Sequence, residues 1–259
     1  MSKYSIQTSQ SRALLFMTSR VFVFLCLIII LVNVCTFETF ERIVPTHTKA
    51  LVVASSSATE KDAAWLARVP LDWSIYHYLT DKPKTPTLSV PVNRGNEAMV
   101  YLTYIIDHYE TLPDVVFFHH DHYQAWHQPF DAIFEVSNLR ASYVLEKGYV
   151  SPRCLSGCEN IIQLADDAVD IVDIHLVPRD MQLRTFLTEF SNDTASIPDK
   201  IAAPCCAQFA ASRDAIRQRS LLWWNRMRQW LIDTSLTSYN SGRLLEYTWH
   251  IWLGEQAQL

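Results

Sequence analysis

The chain has 259 residues, 49% of them hydrophobic, and a formal net charge of −5 at pH 7. This is enough for one large domain or two small ones with a substantial core. The acidic balance argues against nucleic-acid binding. Only five glycines occur, and none forms a GxGxxG or Walker motif, which argues against glycine-loop nucleotide binding.

The first forty residues differ from the rest. The stretch 21–37, VFVFLCLIIILVNVCTF, is almost entirely apolar and, as a helix, spans about one bilayer. Basic residues precede it and Glu38 and Glu41 follow, which favours a cytoplasmic N-terminus. A cleaved signal peptide is the competing interpretation. We predict a single-pass type II membrane protein of the Golgi or endoplasmic reticulum, with a cytoplasmic tail at 1–20, a transmembrane signal anchor at 21–40, a stem at 41–48 and a lumenal domain at 49–259.

Four cysteines fall in two pairs, Cys154 with Cys158 and Cys205 with Cys206. In an oxidising lumen they can form two disulfides, most simply by joining one pair to the other, and four buried free thiols are the alternative. Their spacing does not suit a zinc site. Asn192 begins an NDT glycosylation sequon.

Strand and helix patterns alternate through the first half of the domain. Apolar runs at 49–57, 73–80 and 114–118 predict buried strands, and 170–178 predicts another. Thr59 is the expected N-cap of an intervening helix. The pattern predicts an α/β domain with a largely parallel sheet flanked by helices.

The segments 96–114 and most of the last sixty residues predict helices. Apolar residues recur at spacings of three and four before Pro113, which ends the first of them. Ser212 and Ser220 are expected N-caps, and Gly254 is the expected C-terminal stop.

The stretch 117–128, FFHHDHYQAWHQ, is the first candidate site, because it follows a predicted strand. Ligands of open α/β sheets bind beyond the carboxyl ends of strands. In extended backbone, His120 and His122 project to the same side and can supply two metal ligands or a base and its partner. Trp126 and His127 can close the pocket wall. A surface loop is the alternative.

Two further groups are candidates. Arg243, Glu246 and His250 share one face of a single predicted helix, as a metal-binding or catalytic set or as a solvated face. In the second group, VNRGNEA at 92–98, Arg94 suits a phosphate held at a helix start. An ordinary capped helix entry explains the second group equally well.

Three motif-bearing segments, at 92–128, 203–219 and 241–254, resemble the fungal and plant family called domain of unknown function 3431. The resemblance covers about 49–254, and its motifs are N-x-G-x-E-A, H-G-H followed by W-H, C-C-A-Q-F and L-E-Y-T-W-H. Asp121 departs from the pattern, which more often has glycine there. The motif positions in this chain are Asn93, Gly95, Glu97, Ala98, His120, His122, Trp126, His127, Cys205, Cys206, Gln208, Phe209, Arg213, Glu246 and His250.

The overall plan of this family is similar to that of lumenal glycosyltransferases of the GT-A type. This implies transfer of a sugar from a nucleotide donor to a small molecule or glycan, with Mn²⁺ or Mg²⁺ as cofactor. No D-x-D triplet occurs, so the HHDH run would have to replace it. The implied roles are metal binding by His120, Asp121, His122 and His250, catalysis by Glu246 and His120, and substrate binding by Asn93, Arg94, Glu97, Trp126 and His127.

Two other interpretations stay open. Two histidines and one carboxylate resemble the facial triad of a metal-dependent oxygenase or hydrolase that tailors a small secondary metabolite. The domain can also be a non-catalytic lumenal accessory or binding module whose histidines are structural.

Overall fold

A computed structural model of the chain describes residues 27–28, 47–82, 88–153, 159–164, 179–191 and 197–259. The predicted cytoplasmic tail, almost all of the predicted membrane anchor and most of the stem lie outside these residues. So do Cys154, Cys158, Asn192 and the strand predicted at 170–178. Within the described part of the chain, no helix combines the length and the apolar character needed to cross a bilayer.

The described strands form a five-stranded sheet and a separate two-stranded ribbon. The strands are β1 (Lys49–Ser55), β2 (Trp73–Leu79), β3 (Val115–His120), β4 (Tyr149–Val150), β7 (Phe209–Ser212) and, in the ribbon, β5 (Glu159–Gln163) and β6 (Lys200–Pro204). The sheet order is β2-β1-β3-β7-β4, with β1 parallel to β2 and β3, and with β7 antiparallel to β3 and β4. The mixed α/β class with a mostly parallel sheet is therefore confirmed.

Burial on both faces explains why β1 is an uninterrupted apolar run. Residues 50–53 are each at most 1% exposed. Because side chains alternate along a strand, Leu51 packs into a core with Trp65 and Phe117, whereas Val52 packs into the opposite core with Phe118. The sheet is thus the middle layer between two apolar cores.

Helices cover the sheet, as predicted. They are a 3₁₀ helix (Glu60–Arg68), α1 (Ala98–Asp107), α2 (Ala132–Asn138), α3 (Ala141–Lys147), α4 (Arg179–Phe190), α5 (Arg213–Arg217), α6 (Leu221–Asp233), α7 (Ser238–Glu246) and α8 (Trp249–Trp252). The side chains of Ser212 and Ser220 accept hydrogen bonds from the backbone N–H groups of Ala215 and Trp223, which confirms both predicted caps. Gly254 follows α8 with φ +95°, as expected of a helix stop.

Thr59 occupies the predicted N-cap position of the helix Glu60–Arg68. However, its side chain makes no helix-capping hydrogen bond, and its Oγ1 instead accepts from the N–H of Ser56 at 3.1 Å. The segment that follows is a 3₁₀ helix with contacts such as Asp62 N–H to Thr59 O. Local hydroxyl–backbone hydrogen bonds of this kind compete with a regular α-helical start.

The prediction that one helix carries Arg243, Glu246 and His250 is wrong. The chain forms two helices, α7 and α8, separated at Tyr247 and Thr248. Thr248 Oγ1 donates to the carbonyl of Leu244 at 2.8 Å, and the Thr248 backbone leaves the helical region at φ −124°. The three polar side chains consequently do not share one helix face.

Candidate functional site

A cleft of about 440 Å³ lies at the carboxyl edge of the parallel strands. The chain passes from β1 to β2 on one side and returns through α1 to β3 on the other side of β1. The crevice between β1 and β3 is therefore a topological switch point, the usual ligand position of an open α/β sheet. The lining residues are Ala54, Ser55, Ser56, Thr59, Thr80, Asn93, Asn96, Glu97, His120, Asp121 and His122.

Strand β3 places the histidine run at this edge. His119 is fully buried, in edge-to-face contact with Trp65. The side chain of His120, the next residue in the strand, points to the opposite face of the sheet and lines the cleft. The chain bends directly after β3, and Asp121 and His122 line the cleft as well. His120 and His122, whose ring centroids are 6.0 Å apart, lie on one side as predicted.

Glu97 enters the cleft from the loop that precedes α1. Gly95 and Asn96 adopt left-handed backbone, with φ +68° and +54°, and turn the chain into the helix. A Cβ on Gly95 would lie 2.6 Å from Leu231 Cδ1, and a Cβ on Gly242 would lie 2.9 Å from the Gly95 carbonyl oxygen. The glycine of the N-x-G-x-E-A motif is thus explained by both its φ and its close packing.

Glu97 and His120 form a pair on the cleft wall. Glu97 Oε2 lies 4.0 Å from His120 Nε2, and this buried nitrogen has no hydrogen-bond partner among the described residues. Burial, and next the Glu246 carboxylate, raise the pKa of Glu97 to about 8. Burial, and next the neighbouring histidines, lower the pKa of His120 well below its ordinary value. At neutral pH the pair therefore favours a protonated carboxyl beside a neutral imidazole.

This pair fits a divalent cation. A separation of 4.0 Å is too long for a hydrogen bond and lies between the roughly 3.0 Å of adjacent donors and the roughly 4.2 Å of opposite donors on one octahedral ion, so a small side-chain movement would let both groups bind the same ion. One carboxylate with an imidazole leaves positions for water and substrate phosphate, as Mg²⁺ sites usually do. Asp121 and His122 line the same cleft. The residues present therefore fit the predicted Mn²⁺ or Mg²⁺.

The structure does not bring all predicted ligands together. Among the described residues, one group places three candidate ligand atoms within 4.8 Å of one another, and it consists of His127, Cys205 and Cys206. His120, Asp121 and His122 share the cleft without forming such a group, so the facial triad is not assembled. His250 lies apart, with Nε2 3.3 Å from the carbonyl oxygen of Ala257.

Arg94 and Glu246 have structural partners. The Arg94 guanidinium donates to the carbonyl oxygens of Thr234 and, at 2.7 Å, Leu236, and it is not among the residues that line the cleft. Glu246 Oε1 accepts from the N–H of Cys206 at 2.9 Å and from Asn160 Nδ2 at 3.0 Å. The phosphate-binding role predicted for Arg94 is therefore not supported by its contacts, and Glu246 supports the turn at Cys206.

Cys205 and Cys206 are joined to each other by a disulfide. This differs from the predicted pairing with Cys154 and Cys158. Left-handed backbone at Cys206 and Ala207, with φ +81° and +46°, accommodates the tight turn that brings adjacent sulfurs together. From sequence spacing alone, disulfides that join the Cys154–Cys158 region to Cys205 and Cys206 are the simpler expectation. No local pattern in the sequence predicts the tight turn.

Trp126 and His127 occupy different environments in the loop after β3. Trp126 is 81% exposed, and its ring stands edge-on to that of His127 at 5.4 Å between centroids. His127 is buried, with its ring 6.2 Å from that of His120. Trp126 can therefore contact a ligand in solution, whereas His127 forms part of the wall behind the cleft.

Sequence reasoning missed a buried ionic network behind β3. Arg153 donates to Glu135 Oε2 at 2.6 Å, and the same oxygen lies 3.2 Å from His119 Nε2. Gln208 Nε2 lies 3.3 Å from His119 Nδ1. Gln208 belongs to the C-C-A-Q-F motif, but Glu135 and Arg153 lie outside the family motifs. Because these two residues are 18 positions apart in the chain, no short stretch of sequence indicates that they pair.

A second missed contact lies in the cleft. Ser55 Oγ is 2.7 Å from His77 Nε2, across the parallel pair β1 and β2. Burial lowers the pKa of His77, so the neutral ring is favoured and can accept the hydroxyl proton. No motif connects these two residues.

Comparison with known proteins identified one family. The model described as protein of unknown function (DUF3431) matches residues 51–259. No curated protein and no solved structure showed significant similarity to the chain.

Proposed function

The chain belongs to the DUF3431 family, and from its cleft we propose that it is a glycosyltransferase-like enzyme that transfers a sugar from a nucleotide donor. The observation that carries the proposal is the polar cleft at the switch point of the sheet, with the Glu97–His120 pair on its wall. This position is where α/β sheets bind nucleotides.

The lining suits a sugar nucleotide. Four hydroxyl side chains and the amides of Asn93 and Asn96 can hydrogen-bond sugar hydroxyls and phosphate oxygens. A cleft of about 440 Å³ lies within the range of small-molecule sites. The exposed ring of Trp126 provides an apolar face on which an acceptor sugar or another ring can rest.

The charge of the lining makes a specific demand on the donor. The described lining residues include the carboxyls of Glu97 and Asp121 but no lysine or arginine. A diphosphate alone therefore meets no positive side chain in the described lining, whereas a diphosphate with a divalent cation brings the missing charge. When bound, Mn²⁺ or Mg²⁺ supplies charge neutralisation for the leaving diphosphate. Glu97 and His120 would hold the ion, and the hydroxyl and amide side chains would orient the donor.

Calorimetric titration of the full chain with uridine and guanosine diphosphate, with and without Mn²⁺, tests this proposal. Binding should require Mn²⁺, and His120→Ala and Glu97→Gln should each weaken it at least tenfold. His47→Ala, outside the cleft, is the matched control and should bind normally. No binding at millimolar nucleotide with Mn²⁺, or normal binding by both cleft variants, would exclude the proposal.

The proposed anchor at 21–40 would hold this domain in the lumen of the Golgi or endoplasmic reticulum. Such an orientation exposes Asn192 to glycosylation. Endoglycosidase treatment of the cellular protein should therefore increase its gel mobility, and Asn192→Gln should remove the shift. An unshifted protein that is also extracted by alkaline carbonate would contradict both parts of this placement.

One contact favours a second candidate function, hydrolysis of a small-molecule ester. The Ser55 hydroxyl, which lines the cleft, and the His77 ring have the spacing of a nucleophile and its base. His77→Gln distinguishes the two functions, because His77 is not among the residues that line the cleft. It should abolish ester hydrolysis if His77 is the base, whereas glycosyl transfer should keep most of its rate.

A further inference from the structure

We propose that His127, Cys205 and Cys206 form a binding site for Zn²⁺ that becomes available when the Cys205–Cys206 disulfide is reduced. The site is separate from the Glu97–His120 pair and differs from it in chemistry, because it offers two sulfur donors and one imidazole. It does not depend on the function proposed for the cleft.

The first support is the geometry. One ligand atom from each of the three residues lies within 4.8 Å of the other two. Two of the residues are adjacent in sequence, whereas His127 approaches from the loop after β3. The cluster therefore arises from the tertiary fold, not from the sequence pair alone.

The second support is an unpartnered buried nitrogen. His127 is 6% exposed, and its Nδ1 has no hydrogen-bond partner among the described residues. A buried polar atom without a partner carries a desolvation cost that a ligand can offset. Cys205 beside it is 8% exposed. The imidazole is thus placed to donate to an ion in a largely dry pocket.

The turn at Cys206 holds the sulfur pair in position. The N–H of Cys206 donates to Glu246 Oε1 at 2.9 Å, and Glu246 also accepts from Asn160. These hydrogen bonds involve the backbone and a carboxylate, so they do not require the sulfur–sulfur bond. Reduction can therefore release the sulfurs while the turn stays fixed beside His127.

The donor set selects the metal. Two thiolates and one imidazole suit zinc, with Zn–S distances of about 2.3 Å and Zn–N distances of about 2.0–2.1 Å, and leave a fourth position for water. Two thiolates on one tetrahedral zinc stand about 3.8 Å apart, so the disulfide must open before the ion binds. Hard ions such as Mg²⁺ are disfavoured by sulfur.

The chemistry balances with a dithiol reductant. The reductant transfers two electrons and two protons, the Cys205–Cys206 bond breaks to give two thiols, and the reductant becomes a cyclic disulfide. Binding of Zn²⁺ then displaces both thiol protons to solvent. Reoxidation by a disulfide oxidant reverses the first step and expels the ion.

The test uses the purified full chain and Co²⁺, whose charge-transfer absorption reports thiolate ligation. Reduced wild type should bind Co²⁺ with this band and release it to Zn²⁺, whereas protein with the disulfide intact, as established by peptide mass spectrometry, should show no band. Cys205→Ser and Cys206→Ser, each of which retains the other five cysteines, should lose the band. His127→Ala should weaken binding at least tenfold, and His47→Ala should bind normally.

Three results would overturn the proposal: no band in reduced wild type, an equal band in the oxidised protein or in both serine variants, or unchanged affinity in His127→Ala. A variant that loses its thermal unfolding transition is replaced by His127→Gln or Cys206→Ala, and the same criteria apply. Nucleotide titration of the same samples reports separately on the cleft, so failure of one proposal is distinguishable from failure of the other.

Discussion

His120 Nε2 and Glu97 Oε2 face each other across 4.0 Å, and each belongs to a group that burial drives towards its neutral form. In ordinary solution, between about pH 4.5 and 6.5, a carboxylate and an imidazolium would carry opposite charges and attract. Here desolvation opposes both charges, and the Glu246 carboxylate further opposes ionisation of Glu97. The pair is therefore costly to ionise without a ligand, which is a common property of functional sites.

The first prediction concerns pH and stability. The pKa of Glu97 is raised from 4.5 to about 8 in the folded chain. Its contribution is therefore most favourable below pH 4.5 and is lost as pH rises through about 8. The free energy of unfolding of wild type, relative to Glu97→Gln, should fall by roughly 4 kcal/mol between these limits. Urea unfolding at several pH values measures the difference.

The control for this prediction is Glu110→Gln, because the Glu110 side chain is 81% exposed. Its difference from wild type should change little over the same pH range. A difference between wild type and Glu97→Gln that stays constant with pH would show that Glu97 ionises normally.

Local patterns predicted the sheet and several caps, because these depend on neighbouring residues. The apolar run in β1, the hydroxyl before α6 and the histidines at the end of β3 are all visible in short windows. The Arg94 contacts cannot be seen in a short stretch of sequence, because the carbonyl groups that accept from Arg94 lie 140 and 142 residues away in the chain. The disulfide within the C-C-A-Q-F motif was missed because it depends on a left-handed turn.

The second prediction concerns the buried ion pair. Glu135 and Arg153 have side chains that are 3% and 0% exposed. Glu135→Gln leaves the guanidinium buried without its counter-charge, which should cost about 3–5 kcal/mol in the free energy of unfolding. The matched control is Glu146→Gln at an exposed pair with Lys147, which should cost less than about 1 kcal/mol. Denaturant unfolding measures both variants. An equal decrease in the free energy of unfolding for Glu135→Gln and Glu146→Gln would show that the buried ion pair stabilises the fold no more than the exposed pair does.

The third prediction concerns the packing of Gly242 against the loop that positions the Glu97 side chain. A methyl group at Gly242 would lie 2.9 Å from the Gly95 carbonyl oxygen and 3.0 Å from Asn96 Nδ2. Gly242→Ala should therefore displace the loop before α1, lower the free energy of unfolding by about 1–3 kcal/mol and weaken nucleotide binding. Ser238→Ala, on the same helix, should do neither. Normal stability and affinity in Gly242→Ala would mean that the loop position tolerates the displacement.

The fourth prediction tests whether Arg94 has a structural role or a ligand-binding role. Arg94 donates to two backbone carbonyl oxygens between α6 and α7. Arg94→Ala should lower the free energy of unfolding by about 1–3 kcal/mol, because buried acceptors lose their donor. The folded variant should keep wild-type affinity for nucleotide with Mn²⁺. The reverse result, normal stability with lost affinity, would restore the phosphate-binding role.

The fifth prediction concerns Trp126, which is 81% exposed and whose ring contacts that of His127, next to His120. Because its ring is solvated, Trp126→Ala should change the free energy of unfolding by less than about 0.5 kcal/mol. If the ring receives the acceptor, transfer should fall at least tenfold in kcat/KM, while Mn²⁺-dependent nucleotide affinity stays normal. Leu222→Ala, 78% exposed on α6, is the matched control and should leave both unchanged. An unaltered kcat/KM in Trp126→Ala would place the acceptor elsewhere, since a ring that is solvated in the free protein can contribute only through a contact made in the complex.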